Sequence, residues 1–134
     1  MYDHPTATEL IAAARMQLEQ QVIPTIAEPR LRFQTLVAAN VLAIVERELA
    51  AGEAHLADAW QRMADLMSSD EAQPAGTALR AAVTEQSRKL CQGIQAGDYD
   101  SGPRRMALLA HLRRTAEEEL AVANPRYLER VLGR

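Results

Sequence analysis

The sequence contains a single cysteine, Cys91, so neither a disulfide framework nor a thiolate zinc site can form within one chain. Aromatic residues make up only 4%. The core must therefore be built from Leu, Val, Ile, Met and abundant Ala, which suits closely packed helices and suits β-sheets poorly. The six glycines are scattered, and no Gly-rich loop opens a helix to cradle a phosphate. Of the three histidines, His4, His55 and His111, none has a Glu three residues before it, so the Glu-x-x-His elements of a helical di-metal centre are missing. No apolar run approaches the roughly 18 residues that span a bilayer. The start, Met1-Tyr2-Asp3-His4-Pro5, lacks the basic residues and apolar run of a signal peptide. The expectation is a cytoplasmic protein with no membrane partner.

What is present points to one helical domain over residues 1–134. Hydrophobic residues make up 48% and charged residues 25%, inside the globular range. A net charge of −3 gives no sign of nucleic-acid binding. The charge is uneven: up to Gly76 there are 5 Arg against 11 Asp/Glu, and from Thr77 on 10 Arg/Lys against 7 Asp/Glu. Lys89 is the only lysine. Guanidinium groups favour carboxylate and phosphate partners, so the second half suits an acidic protein or a phosphorylated ligand; its plainer reading is a solvated surface laced with internal ion pairs.

The spacing predicts an all-α fold, a compact bundle of four to five helices with a highly apolar second helix. Thr6-Ala7-Thr8-Glu9 has the form of a capping box. Behind it Ile11, Ala14, Leu18 and Val22 repeat at helical spacing, with Arg15 and Glu19 outward, until Pro24 disfavours helix in the residue before it. A second helix starts at Pro29 and stops at Gly52. Phe33, Val37, Val41 and Ile44 make one stripe on it, and Leu36, Leu42, Val45 and Leu49 most of another. So apolar a girth is expected of a helix central in the fold or shared with a partner. A third helix from Glu53 to Met67 places Leu56, Trp60, Met63 and Met67 on one face, and residues 68–76 form a loop. A fourth, from Thr77 to Ala96, turns Leu79, Val83, Leu90 and Ile94 inward, with Gly97 as its cap. A fifth, from Pro103 to Val122, uses Met106, Leu109, Leu112, Ala116 and Leu120, and a terminal helical turn follows Asn124-Pro125. The expected core is Leu18, Val37, Val41, Ile44, Trp60 and Leu109.

Candidate chemistry is sparse. His55 and Asp58 share a helix face, but two ligands are too few for a metal. Cys91 has Ser87 and Lys89 near it and no His, and reads as a buried, inert thiol. No catalytic, cofactor-binding or metal-binding residue is assigned. Asn40 interrupts the apolar second helix, and a buried polar group there needs partners. Arg47 and Glu48 follow, one to the Asn40 side and one to the Ile44 stripe. Asn40, Arg47 and Glu48 are therefore read as structural or interfacial polar anchors; for Arg47 a ligand phosphate is the sharper alternative. Arg104 and Arg105 oppose the dipole at a helix start, which calls for an acidic partner such as Asp98 or Asp100.

Four segments carry a resemblance over nearly the whole chain. They are Tyr2-Asp3-His4-Pro5-Thr6, Val37-Ala38-Ala39-Asn40-Val41-Leu42-Ala43-Ile44-Val45-Glu46-Arg47-Glu48-Leu49, Ile94-Gln95-Ala96-Gly97-Asp98 and Asn124-Pro125-Arg126-Tyr127-Leu128. Together they resemble a bacterial family of small, largely uncharacterised proteins encoded beside acyl-CoA dehydrogenases and aminoglycoside-phosphotransferase-like kinases. The chain is too short to be a flavin dehydrogenase itself. The resemblance implies a non-catalytic accessory subunit supporting a kinase that phosphorylates hydroxyacyl-CoA thioesters, whose phosphate the dehydrogenase-like partner helps to eliminate. It carries over no cofactor and no catalytic residue. Two other readings stay open: a homodimer assembled through the apolar second helix, and a protein that binds acyl-CoA or another anion with arginines.

Overall fold

A computed structural model describes residues 4–133, and every regular element among them is helical. The α-helices are α1 (Ala7–Gln17), α2 (Pro29–Met67), α3 (Thr77–Gln95), α4 (Gly102–Ala123) and α5 (Pro125–Leu132). The fold class is all-α. The chain divides into two compact units: the described residues up to Gly52 with Val122–Asn124, and Glu53–Ala121 with the residues from Pro125 on.

In the first unit, α1 opens with the expected capping box. Thr6 Oγ1 accepts from the Glu9 amide at 3.2 Å, and Glu9 returns a carboxylate oxygen to the Thr6 amide at 2.7 Å. Pro24 ends the helical run by widening it first. Proline has no N–H for the carbonyl four residues back and its ring collides with that carbonyl. The backbone answers with a π-helical turn over Leu18–Val22, where the Ile23 amide reaches back to the Leu18 carbonyl, and a 3₁₀ turn over Ile23–Thr25. Among the described residues of this unit the buried apolar ones are Ile23 and Ala39.

The inward face of α2 in this unit differs from the expected one. Ala39 is buried, with Thr35, Leu42, Ala43 and Glu46 half-buried around it, while Val37 is 46% and Val41 50% exposed. Val37 and Val41 are therefore not core residues, and Ile44 and Leu18 are only half-buried. A helix with two apolar stripes gives no periodic signal for choosing between them; here the face with small Ala39 and Ala43 and the ion-pairing Glu46 is the covered one.

The expected stop at Gly52 is also absent, and α2 continues for 39 residues. One glycine weakens a helix by roughly 0.5–1 kcal/mol relative to Ala without breaking it. A Cβ at Gly52 would meet nothing closer than Glu48 Cγ at 3.6 Å, so Gly52→Ala is expected to stabilise the protein by about 0.5–1 kcal/mol in denaturant unfolding. Gly93 in α3 is the opposite case. A Cβ there would lie 3.0 Å from Tyr99 Cε2 and 3.4 Å from Asp98 Oδ2, and Gly93→Ala is expected to destabilise by about 1–3 kcal/mol through overpacking.

In the second unit α2 ends in a Schellman motif: Ser69 donates to Ala64 at 2.9 Å and Ser68 to Asp65 at 3.3 Å, with Ser68 at φ 52°. Gly97, at φ 85°, closes α3 in the same way, its amide bonding Ile94 and that of Asp98 bonding Gly93. The core is Met63, Leu90, Tyr99 and Leu108, with Ala59, Leu66, Met67 and Val83 packed against it. Trp60 and Leu79 are buried as well. Tyr99 reaches this core from the α3–α4 turn, and the space left by the missing Gly93 side chain admits its ring.

Candidate functional site

The second unit buries a polar network that sets the rotation of α4. Leu108, His111, Thr115 and Glu118 recur at intervals of three or four, so they share one line of the helix. Arg62 of α2 meets that line. Its Nη1 and Nη2 donate to the two oxygens of Glu118 at 3.0 and 2.8 Å, Nη2 also to Thr115 Oγ1 at 3.3 Å, and Nε to His111 Nδ1 at 3.4 Å. Arg114 Nε adds a 2.9 Å bond to Glu118 Oε1. Planar guanidinium and carboxylate match in this two-point geometry.

Burial pushes the Glu118 carboxyl up, but the bonds and charges of Arg62, then Arg114, outweigh it and hold the group below its ordinary range. Burial, with the Arg62 charge, holds His111 below its ordinary value against the opposing pull of Glu118. A carboxylate gripped by two arginines is a poor base, and a neutral imidazole accepting at Nδ1 keeps its own proton on Nε2. These groups are occupied with one another, and the arrangement is a clasp between α2 and α4.

The clasp turns the expected face of α4 outward. Leu109 is 50% exposed and Met106 68%, with Leu112 and Ala116 exposed beside them. Leu109 is therefore not a core residue: the two-point bond between Arg62 and Glu118 holds the neighbouring line, Leu108–His111–Thr115–Glu118, toward α2 instead. The outcome is an apolar stripe, Met106–Leu109–Leu112, on the same side of the helix as exposed Arg105 and Arg113.

The expected polar anchors fare differently. Asn40 is exposed and bears no burial cost. Arg47 Nε donates to the Val122 carbonyl at 2.7 Å, capping one of the last carbonyls of α4, where a cation also suits the helix dipole. Glu48 is exposed. Arg15, expected outward, is half-buried and bridges Glu46 at 2.9 Å and Glu19 at 2.8 Å, tying α1 to α2. Cys91 is exposed, contrary to the buried thiol expected, because it lies one residue beyond the inward Leu90 on α3. Arg104 lies 4.8 Å from the centre of the Tyr99 ring, and Arg105 donates to the Asp100 main-chain oxygen at 3.3 Å. The acidic side chains expected for these two are replaced by a ring face and a carbonyl.

Sequence reasoning missed Arg62, Glu118 and Gln86, whose side-chain oxygen is buried without a hydrogen-bond partner. The available signal was a line on α4 that mixes Leu108 with His, Thr and Glu. No group of three or more His, Cys, Asp or Glu among the described residues is placed to hold a metal ion. Among those residues no helix is long and apolar enough to cross a membrane.

Compared with known proteins, residues 24–127 match the model of a family described as Domain of unknown function (DUF6285). No curated protein and no solved structure matches the chain.

Proposed function

Taking as premise that the chain belongs to the family of unknown function whose model covers residues 24–127, we propose that it is a non-catalytic accessory subunit that works by binding another protein. The supporting observation is the outward stripe of α4: Met106, Leu109 and Leu112 face solvent between Arg105 and Arg113. An exposed apolar strip of this kind suits a partner whose contact surface has an apolar centre. The partner we propose, from the resemblance carried by the block at 37–49, is a phosphotransferase-type kinase acting on hydroxyacyl-CoA, with a dehydrogenase-like protein downstream. The anion-binding alternative has less support. Arg88, Arg113 and Arg114 each already hold a carboxylate, and Arg104 lies on Tyr99.

The test is a binding titration of the purified chain against a phosphotransferase-type kinase that acts on hydroxyacyl-CoA. Leu109→Asp, on an exposed position, is expected to raise Kd at least about tenfold while leaving the thermal melt in place. Wild-type chain that does not bind the kinase, or a variant that binds equally well, overturns the proposal.

A further inference from the structure

Four of the five methionines lie among the described residues, and the fold treats them unequally. Met63 is 1% exposed at the centre of the second unit, and half-buried Met67 packs against the same core. Met16 of α1 is 45% exposed and Met106 of α4 68%. No large apolar side chain among the described residues is more exposed than Met106. It also stands at one end of the α4 stripe, with Leu109 and Leu112 one and two turns further along the helix.

A thioether has no proton to lose, so no neighbouring base is needed to make it a nucleophile. Access to the sulfur then decides which methionine an oxidant reaches. We propose that Met106 is a modification site, oxidised to the sulfoxide by hydrogen peroxide, and that the sulfoxide closes the α4 stripe to its protein partner. In the reaction a sulfur lone pair attacks one peroxide oxygen, the S–O bond forms and the O–O bond breaks. The departing hydroxide takes the proton left on the transferred oxygen and leaves as water. The sulfur loses two electrons and the peroxide gains them. A dithiol can return them through a methionine sulfoxide reductase, giving the thioether, a disulfide and water. Oxidation replaces an adaptable apolar end with a strong hydrogen-bond acceptor. Against an apolar contact surface that oxygen finds no donor, which raises Kd at least about tenfold.

This inference rests on reading the α4 stripe as the docking surface. The test treats the full chain with hydrogen peroxide, maps oxidised peptides by mass spectrometry over time, and titrates treated and untreated chain against the kinase. Met106 is expected to oxidise at least about tenfold faster than Met63, whose sulfur peroxide meets only when the core opens. Treated wild type is expected to bind at least about tenfold more weakly, and reductase with dithiothreitol is expected to restore it. Met106→Leu keeps an apolar side chain of similar volume and should bind alike before and after treatment. That variant still carries Met16 and the exposed Cys91 thiol, so it separates their oxidation from that of Met106. A thermal melt checks that each treated chain is folded. Met106 oxidised no faster than Met63 overturns the assignment. So does treated wild type that binds like untreated, or treated Met106→Leu that loses binding as wild type does. Untreated chain that binds no kinase removes the accessory role and the control of docking with it, while the peptide map alone decides whether Met106 is the oxidised site.

Discussion

Arg62→Ala is expected to lower the unfolding free energy by about 3 kcal/mol, the low end of the cost of breaking a buried ion pair. The loss comes less from the missing attraction than from what remains. Glu118, with its side chain only 8% exposed, would keep a desolvated carboxylate with Arg114 as its one remaining cation. Thr115 and His111 would lose a donor at the same time. Arg62→Met, which keeps the apolar stem, should cost nearly as much if the charge matters, and Glu118→Gln should be milder because the charge it leaves unpaired, Arg62, is 21% exposed and reaches water.

The same clasp gives stability a pH dependence in two windows. His111 is held below its ordinary value of 6.5 by burial and then by Arg62. As pH falls below that value the unfolded chain takes up the proton first, so stability declines. Glu118 is held below its ordinary value of 4.5, where burial is outweighed by Arg62 and Arg114. Its contribution is fully present above that value and is lost as pH falls through the lower folded one. Denaturant melts of His111→Gln should lose the decline in the upper window and keep the acid one. A wild-type stability that is flat from pH 7 down to pH 3 would contradict both assignments.

Met63→Ala is expected to have a comparable effect, about 2–5 kcal/mol, read as a lower midpoint with an unchanged slope in denaturant unfolding. Met63 is the most buried large side chain, 1% exposed, and it contacts the centre of the second unit with Leu90, Tyr99 and Leu108. Its sulfur also lies 3.5 Å from the Ser87 hydroxyl of α3. Truncation leaves a cavity among side chains from α2, α3, α4 and the turn holding Tyr99, which cannot all close in together. By contrast, Val41→Ala removes an exposed side chain and should change the stability of the isolated monomer by less than about 0.5 kcal/mol.

Local signals in the sequence marked the ends of several elements. The capping box at Thr6 and Glu9, the loop at 68–76 and the Gly97 cap each depend on residues within one turn of one another, and such chemistry is readable without tertiary structure. The orientation of the long helices was not. On α2 and α4 apolar residues occupy more than one side, so periodicity fixed the helix and left its rotation open. Rotation is decided by contacts distant in sequence: Arg15 with Glu46, 31 residues apart, and Arg62 with Glu118, 56 apart. That is why Val37, Val41 and Leu109, inward by periodicity, lie outside. Gly52 misled for a related reason. Glycine is common past a helix end, yet with helix formers on both sides its cost is smaller than that of ending the helix.

The proposed role is tested most directly by the rate of phosphate transfer from ATP to a hydroxyacyl-CoA, measured for the kinase alone, for the chain alone and for the kinase with increasing chain. An accessory subunit predicts no turnover by the chain alone and a kinase rate that rises and saturates with added chain. The Leu109→Asp variant should need a higher concentration to reach the same plateau. Turnover by the chain alone that a point substitution in it abolishes, or a kinase rate indifferent to saturating chain, would contradict the account.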